Sequence, residues 1–402
     1  MIPRTIIILS LIRNLVAADD ARLLNTIPFI MAHDAGSGYL TQESHIGIKS
    51  LVKGWTQTQS GGLGKQLSCG ARAFDARPAV NSEGALVWHH GGITVNHSFS
   101  DSLGEVTAFC ASNPTELVLM TIWDCVGDGC DAAVDAALAS RGVVPLTNCS
   151  AFKNLTLAQA RGLAALPQNG GQLLVVHAPA PPDGEPSCSY SNYLPSNACS
   201  GIDEGIDFAA FPTEFQQCVV DTLQPGQNEV GAFERLFSTP YGSLSSAAHS
   251  SLHACLTLHR DDLAVHIAVA SAAEKLGSSS SSLPGAYRCY DGDVSSAFPL
   301  NRMAQYLDNT SSEFESGKAA AAGNGQLWQM QAIWQESTAS VVLGTLSRST
   351  LLDDEARSSW NSKLAADVAS GRWASINLLE VNNVCDGGPA LREALLAWSS
   401  SS

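Results

Sequence analysis

Through the first half of the chain, short apolar runs keep breaking off on a histidine or an acid. Pro28–Ala32 delivers His33-Asp34, and Ala71–Ala76 carries Asp75 and leads into Arg77. Leu86-Val87-Trp88 ends in His89-His90-Gly91-Gly92, Leu117–Trp123 in Asp124, and Leu173–Val176 in His177. The Leu117 run is apolar almost throughout, as a strand buried on both faces must be. Helical stretches alternate with such runs. Parallel strands need crossover connections of that length, so the pattern predicts an α/β fold with a parallel sheet. In a barrel of that class the reactive groups gather at the C-terminal strand ends. His33, Asp75 to Arg77, His90, Asp124 and His177 all fall there, which favours a barrel over an open sheet.

The intervening segments fit this layout. Gly61–Ser68 is helical in pattern. Ser102-Leu103-Gly104-Glu105 is a capping-box sequence and predicts a helix start, with Leu103, Val106, Phe109 and Cys110 on one face. Asn113-Pro114 stops it. A helix over Thr156–Leu166 is stopped by Pro167. Near the end, Leu327–Trp334 reads as a strand, Asp354–Ala369 as a helix, Ile376–Val381 as the last strand and Pro389–Trp398 as the closing helix. The middle, about 180–325, is rich in Cys and Ser and reads as an insertion in a single barrel domain over 19–402; short helices are expected near Glu214–Leu223 and Leu252–Leu256, while His266–Ala272 suits strand or helix.

Met1 to Ala18 has the layout of a secretory leader: Arg4, an apolar stretch Thr5–Ile12, and small residues Val16-Ala17-Ala18 before the cut. Eleven widely spread cysteines suit the same compartment, with Cys125–Cys130 and Cys188–Cys199 as candidate local bridges and an odd thiol left over. No C-x-x-C or histidine pair at ligand spacing supports a zinc site. Sequons stand at Asn96, Asn148, Asn154 and Asn309. The chain is therefore expected to be secreted and monomeric. Thirty-eight acidic against 22 basic residues, a formal net charge of −16, argue against nucleic-acid partners and against electrostatic docking on anionic lipid. Contact with a membrane surface would be transient and apolar.

Two histidines near carboxylates suit concerted acid–base chemistry, one imidazole neutral to take a proton and the other charged to give one. Arg77 adds a planar fork that matches two phosphate oxygens. The order A-H-D-A-G, Q-L-S-C-G-A-R-A-F-D-A-R, W-H-H-G-G and N-P-T-E-L-V-L-M resembles the X-domain of phosphatidylinositol-specific phospholipase C in its single-domain bacterial form, best over Pro28 to Asp124. The resemblance implies a distorted TIM (β/α)8 barrel of the phospholipase-C-like phosphodiesterase type. It implies cleavage of a phospholipid phosphodiester head group by the neighbouring inositol hydroxyl, releasing diacylglycerol and a cyclic inositol phosphate. It further implies His33 as general base, His90 as general acid paired with Asp34, and Asp75 as a buttress. Arg77 stands where metal-dependent relatives carry a calcium-binding carboxylate, so no metal or other cofactor is expected. The family's last-strand aspartate is missing, and Glu380 is the substitute candidate for orienting the base. The lysine and glutamate of strand four are also missing; Trp123, Asp124 and Cys125 stand there. Gly91, Asp124 and His177 are candidate substrate contacts. A glycerophosphodiester phosphodiesterase ranks lower, because that chemistry wants a glutamate-x-aspartate pair where Asp75-Ala76-Arg77 stands. A decayed head-group-binding protein is the third alternative.

Overall fold

The structure is a computed structural model. It describes residues 20–40, 56–91, 93–147, 154–168, 170–177, 189–191, 300–315, 327–334 and 350–401, with isolated positions at 54, 213–214, 217–218, 254–255 and 258. The leader, Cys188 with Cys199, Asn148, His266–Ala272 and most of the 180–325 insertion lie outside the described residues.

The apolar runs form the expected strands. In chain order they are β1 (Phe29–Ala32), α1 (Leu63–Ser68), β2 (Ala73–Ala76), β3 (Pro78–Val80), β4 (Leu86–His90), β5 (Ile93–Val95), α2 (Phe99–Ser112) and β6 (Leu117–Ile122). There follow α3 (Cys130–Ser140), α4 (Leu157–Ala164), β7 (Gln172–His177), β8 (Ser189–Ser191), α5 (Leu300–Glu315), β9 (Leu327–Ala332), α6 (Leu351–Ser358), α7 (Trp360–Ala369), β10 (Leu378–Val381) and α8 (Gly388–Ser401).

Seven strands form one sheet in the order β7-β6-β2-β1-β10-β9-β8, and every pairing in it is parallel. The first strand lies directly beside the last, Phe29 opposite Leu378 and Ala32 opposite Val381. From that seam the strands run outward in chain order on one side and in reverse chain order on the other. That is the cyclic order of a barrel, with β7 and β8 as its two edges among the described residues.

The period-two alternation of the strands divides the buried side chains into two sets. Ile30, Ala32, Phe74, Ala76, Val118, Met120, Ile122, Val175, Met330, Leu379 and Val381 pack with Leu103, Val106, Leu364 and Leu391 of the surrounding helices. Phe29, Met31, Ala73, Leu117, Leu119, Leu174, Val176, Leu327 and Leu378 point the other way and fill the interior with Leu24 and Leu157. Continued one or two residues toward the C-terminal ends, this interior face becomes polar: His33, Asp75, Arg77, Thr121, Glu380 and Asn382. The interior has an apolar floor and a charged upper storey.

The stretch between β2 and α2 departs from the sequence expectation. β3, β4 and β5 form a separate antiparallel sheet, with Trp88 opposite both Pro78 and Val95. His90 therefore ends a hairpin strand laid against the barrel mouth and does not stand on a barrel strand end. Gly36, just past His33-Asp34, runs beneath this sheet; a Cβ there would come within 2.4 Å of the Trp88 ring. Helix α2 starts at Phe99, three residues before the expected box, because Ser98 accepts a hydrogen bond from the Asp101 amide. The Asp354–Ala369 helix is two helices, broken at Ser359, whose φ of 56° is left-handed. Cys125–Cys130 is bridged as expected, and Cys69–Cys385 and Cys218–Cys255 are bridged as well. Cys110 is the unpaired thiol among the described cysteines, and burial pushes it up to about 12.

Candidate active site

His33 leaves β1 with its backbone amide bonded to the Val381 carbonyl across the seam (3.1 Å). Asp34 then takes a left-handed conformation, φ 42°. That turn sends the two consecutive side chains into the same space. Asp34 donates its amide to Asp75 Oδ2 (2.9 Å), tying the turn to the end of β2.

Arg77, two residues beyond Asp75 on the interior face, closes the arrangement. Its Nη2 donates to Asp75 Oδ2 at 2.9 Å and its Nε lies 2.6 Å from Asp34 Oδ1. The guanidinium carbon lies 4.4 Å from the centre of the Trp123 ring, and the Trp123 indole N–H donates to Asp75 Oδ1. Asp75 is completely buried, so these donors are what make its charge tolerable. Burial works against the Arg77 charge, but Asp75 and Asp34 outweigh it and hold the guanidinium firmly protonated.

The partners of the two histidines set their protonation. His33 Nδ1 lies 2.8 Å from Asn382 Oδ1, and the Asn382 amide nitrogen donates to the Trp334 carbonyl, so Oδ1 accepts and His33 Nδ1 carries the proton. His33 Nε2 lies 3.3 Å from both Arg77 Nη2 and Asp34 Oδ2. Burial, the first cause, and Arg77 push His33 toward the neutral form, while Asp34 pulls the other way; the net direction is down. His90 is the reverse case. Its Nδ1 faces the Thr56 carbonyl at 2.7 Å and its Nε2 faces Asp34 Oδ2 at 2.9 Å. Both partners accept, so both ring nitrogens are placed to donate, the arrangement an imidazolium makes. Burial alone would raise Asp34; His90, His33 and Arg77 overcome it and hold its carboxyl well below the usual carboxylate range. The two rings stand 6.3 Å apart, nearly perpendicular, over Arg77.

The group that orients His33 is Asn382, not Glu380. Strand register explains the difference. Glu380 is level with Met31 and Val381 with Ala32, so the residue level with His33 is 382. Glu380 lies one storey deeper, fully buried, and burial followed by the nearby Asp75 raises its carboxyl well above the usual range. His177 is the second correction. It follows Val176 on the strand and therefore faces the helices, where it meets Asp131 and Asp135 of α3, away from the interior. Asp124 is also turned out: about half its side chain is in solvent, and its carbonyl meets His89 Nε2 (2.7 Å). Gly91 lies in the exposed turn after His90, with open space where a side chain would be. His89 is structural, buried between that carbonyl and the Gly91 carbonyl. Of the tryptophans, Trp88, Trp328 and Trp334 are core, while Trp123 is 45% exposed at the mouth.

One short segment carries no charge and grips both histidines. Thr58 Oγ1 and Gln59 Nε2 donate to the His33 carbonyl (2.8 and 3.1 Å), Gln59 also bonds the Val381 carbonyl, and the Thr56 carbonyl holds His90. His33, Asp34 and Asp75 offer donor atoms close enough together for a cation. The Arg77 guanidinium already pairs with both carboxylates there, so a divalent ion would have to displace it.

No family model matches the chain. Among solved structures it is similar to phosphatidylinositol-specific phospholipase C from Listeria monocytogenes, at 14% identity over 94% of this chain and 95% of that one, with a TM-score of 0.46. It is also similar to structures of phosphatidylinositol-specific phospholipase C from Staphylococcus aureus. One matches at 20% identity over 40% of this chain and 50% of that chain, TM-score 0.31. Another matches at 14% over 62% and 84%, TM-score 0.34. The chain thus spans about half the length of the first of these Staphylococcus structures.

Proposed function

We propose that this protein is a phosphodiesterase of the phospholipase C type, cleaving a phosphoinositide head group without a metal ion. One observation carries the reading: a neutral histidine and a charged histidine share one aspartate above a buried, ion-paired arginine. His33 Nε2 takes the proton from the hydroxyl next to the phosphate. The freed oxygen attacks phosphorus, Arg77 stabilises charge gathering on the non-bridging oxygens, and the proton held between His90 and Asp34 passes to the leaving oxygen. The diester bond to the glycerol breaks as the ring closes, giving diacylglycerol and a cyclic inositol phosphate.

Asn382 in the orienting position supports an intact site over a decayed one. The half-exposed Trp123 and Val126 at the mouth suit transient apolar contact with a lipid surface. Three bridged cysteine pairs fit a secreted protein. The test is phosphorus NMR of products from a panel of inositol and glycerol phosphodiesters, with and without EDTA. A cyclic phosphodiester that forms equally with EDTA is expected, with His33→Ala or His90→Ala lowering turnover by about 10²–10⁴-fold. Activity that disappears on chelation would sink the role given to Arg77. Turnover of glycerol phosphodiesters alone would favour the glycerophosphodiesterase alternative.

A further inference from the structure

On the outer face of the barrel, remote from the interior storey, His177 ends β7 against the first turns of α3. Its Nδ1 lies 2.9 Å from Asp135 Oδ1 and its Nε2 lies 3.0 Å from Asp131 Oδ1. Cys125 Sγ, a ring nitrogen of His177 and an Asp131 oxygen all fall within 4.8 Å of one another. Cys130, which opens α3, is bridged to Cys125 and immediately precedes Asp131. His177 is buried, whereas Asp131 and Asp135 are more than half exposed, so an ion has a way in from solvent.

We propose that the reduced form of this loop is a binding site for a thiophilic divalent cation of the zinc class, with Cys125, Cys130, Asp131 and His177 as ligands. A dithiol or phosphine reductant supplies two electrons to the Cys125–Cys130 bond and leaves two thiols. The incoming cation then displaces one proton from each thiol and one from His177 Nε2. Four donors of mixed S, N and O type suit a tetrahedral zinc ion. Bond lengths of about 2.0–2.3 Å require ligand atoms about 3.3–3.8 Å apart, so Cys125, Asp131 and His177 draw in by less than about 1.5 Å. The two sulfurs, bonded in the oxidised form, move apart once reduced. Asp135 completes the arrangement from behind. It accepts the His177 Nδ1 proton, which fixes the tautomer that offers Nε2 to a metal, as carboxylates do behind metal-bound histidines. The spacing C-x4-C gives no zinc signature in the sequence; β7 brings the histidine in from 47 residues further on.

The loop is also zipped to β3, since the Val80 amide donates to the Val126 carbonyl (2.8 Å) and the Val126 amide to the Pro78 carbonyl (3.1 Å). The same loop begins at Trp123, whose ring lies against the Arg77 guanidinium.

The test is cobalt titration of the full chain, oxidised and after phosphine reduction, read by the thiolate charge-transfer and tetrahedral ligand-field absorption. One Co²⁺ per chain, displaced by Zn²⁺, is expected in the reduced protein and none in the oxidised protein. Reduced His177→Asn and Cys125→Ser/Cys130→Ser should lose the tetrahedral cobalt spectrum while keeping the wild-type circular dichroism. Asp135→Asn, which keeps every ligand, should weaken binding by about 10–100-fold. If reduced wild type takes up no cobalt, or the double serine variant keeps the thiolate band, the proposal is wrong. Equal uptake by oxidised protein would overturn the requirement for reduction.

Discussion

At the scale of single residues, Asn382 sets the basicity of His33, and this can be measured. Replacing it with leucine removes the acceptor that fixes the Nδ1 proton, and turnover should fall on the order of 10²-fold with binding little changed. Asn382→Asp makes the acceptor a carboxylate, which favours the imidazolium. The acidic limb of kcat/KM, expected below pH 6.5 because burial depresses His33, should then move upward. A limb that stays in place in Asn382→Asp would show that His33 is not the base. His33, Asp34, Asp75, Arg77 and His90 were legible in the sequence because they fall in register with one ordered set of motifs. Position at the end of an apolar run alone did not suffice, as His89, Asp124 and His177 show. Asn382 and the Thr56–Gln59 segment were not legible, since an amide or a carbonyl leaves no such mark. His177 and Glu380 were misread by small offsets along a strand. One residue turns a strand side chain to the opposite face, and two lower it by a storey.

At the scale of elements, the hairpin sheet is what the sequence concealed. Alternation along β4 reads the same whether its neighbours are barrel strands or β3 and β5, so only the pairing shows that His90 reaches in from outside the barrel. Gly36 is the tightest point of that contact. Gly36→Ala would drive a methyl group into the Trp88 ring, and should cost about 1–3 kcal/mol in urea unfolding while lowering activity through His90. A stable, fully active Gly36→Ala would show that the hairpin can shift without penalty. The helices read from the sequence lie within a turn of their observed bounds, but Cys130–Ser140 and Leu300–Glu315 were not read at all. The starts of α2, α4 and α6 follow side-chain caps at Ser98, Thr156 and Thr350. Ser98→Ala should cost about 1 kcal/mol, whereas Ser102, inside the helix, acts as partner of the Trp88 indole N–H.

At the scale of the whole molecule, two opposite pH trends meet in the barrel interior. The depressed Asp34 contributes stability that is present above the ordinary carboxylate range and is lost as pH falls below it. The raised Glu380 does the reverse: its contribution is complete below about 4.5 and is lost as pH rises through its higher folded value. Glu380→Gln should therefore raise Tm at alkaline pH and change it little near pH 4; an equal gain at both would refute the linkage. The bridges differ in reach. Cys69–Cys385 spans 316 residues and Cys125–Cys130 only five, so on chain-entropy grounds breaking the first should cost about 6 kcal/mol and the second about 2 kcal/mol. The cyclic strand order was foreshadowed by strand ends converging on one rim, but the seam was not, because no local pattern says which distant strand lies beside β1. That seam has a consequence for the order of synthesis. The first barrel strand to leave the ribosome ends in His33, yet the amide that orients this histidine follows 349 residues later, on the far side of the seam. A nascent chain carries His33, Asp34, Arg77 and His90 as an unassembled set until β10 has been made. On the proposed reading, phosphodiester cleavage waits for Asn382 to reach the seam, so synthesis of that distant strand is itself the lock on the chemistry.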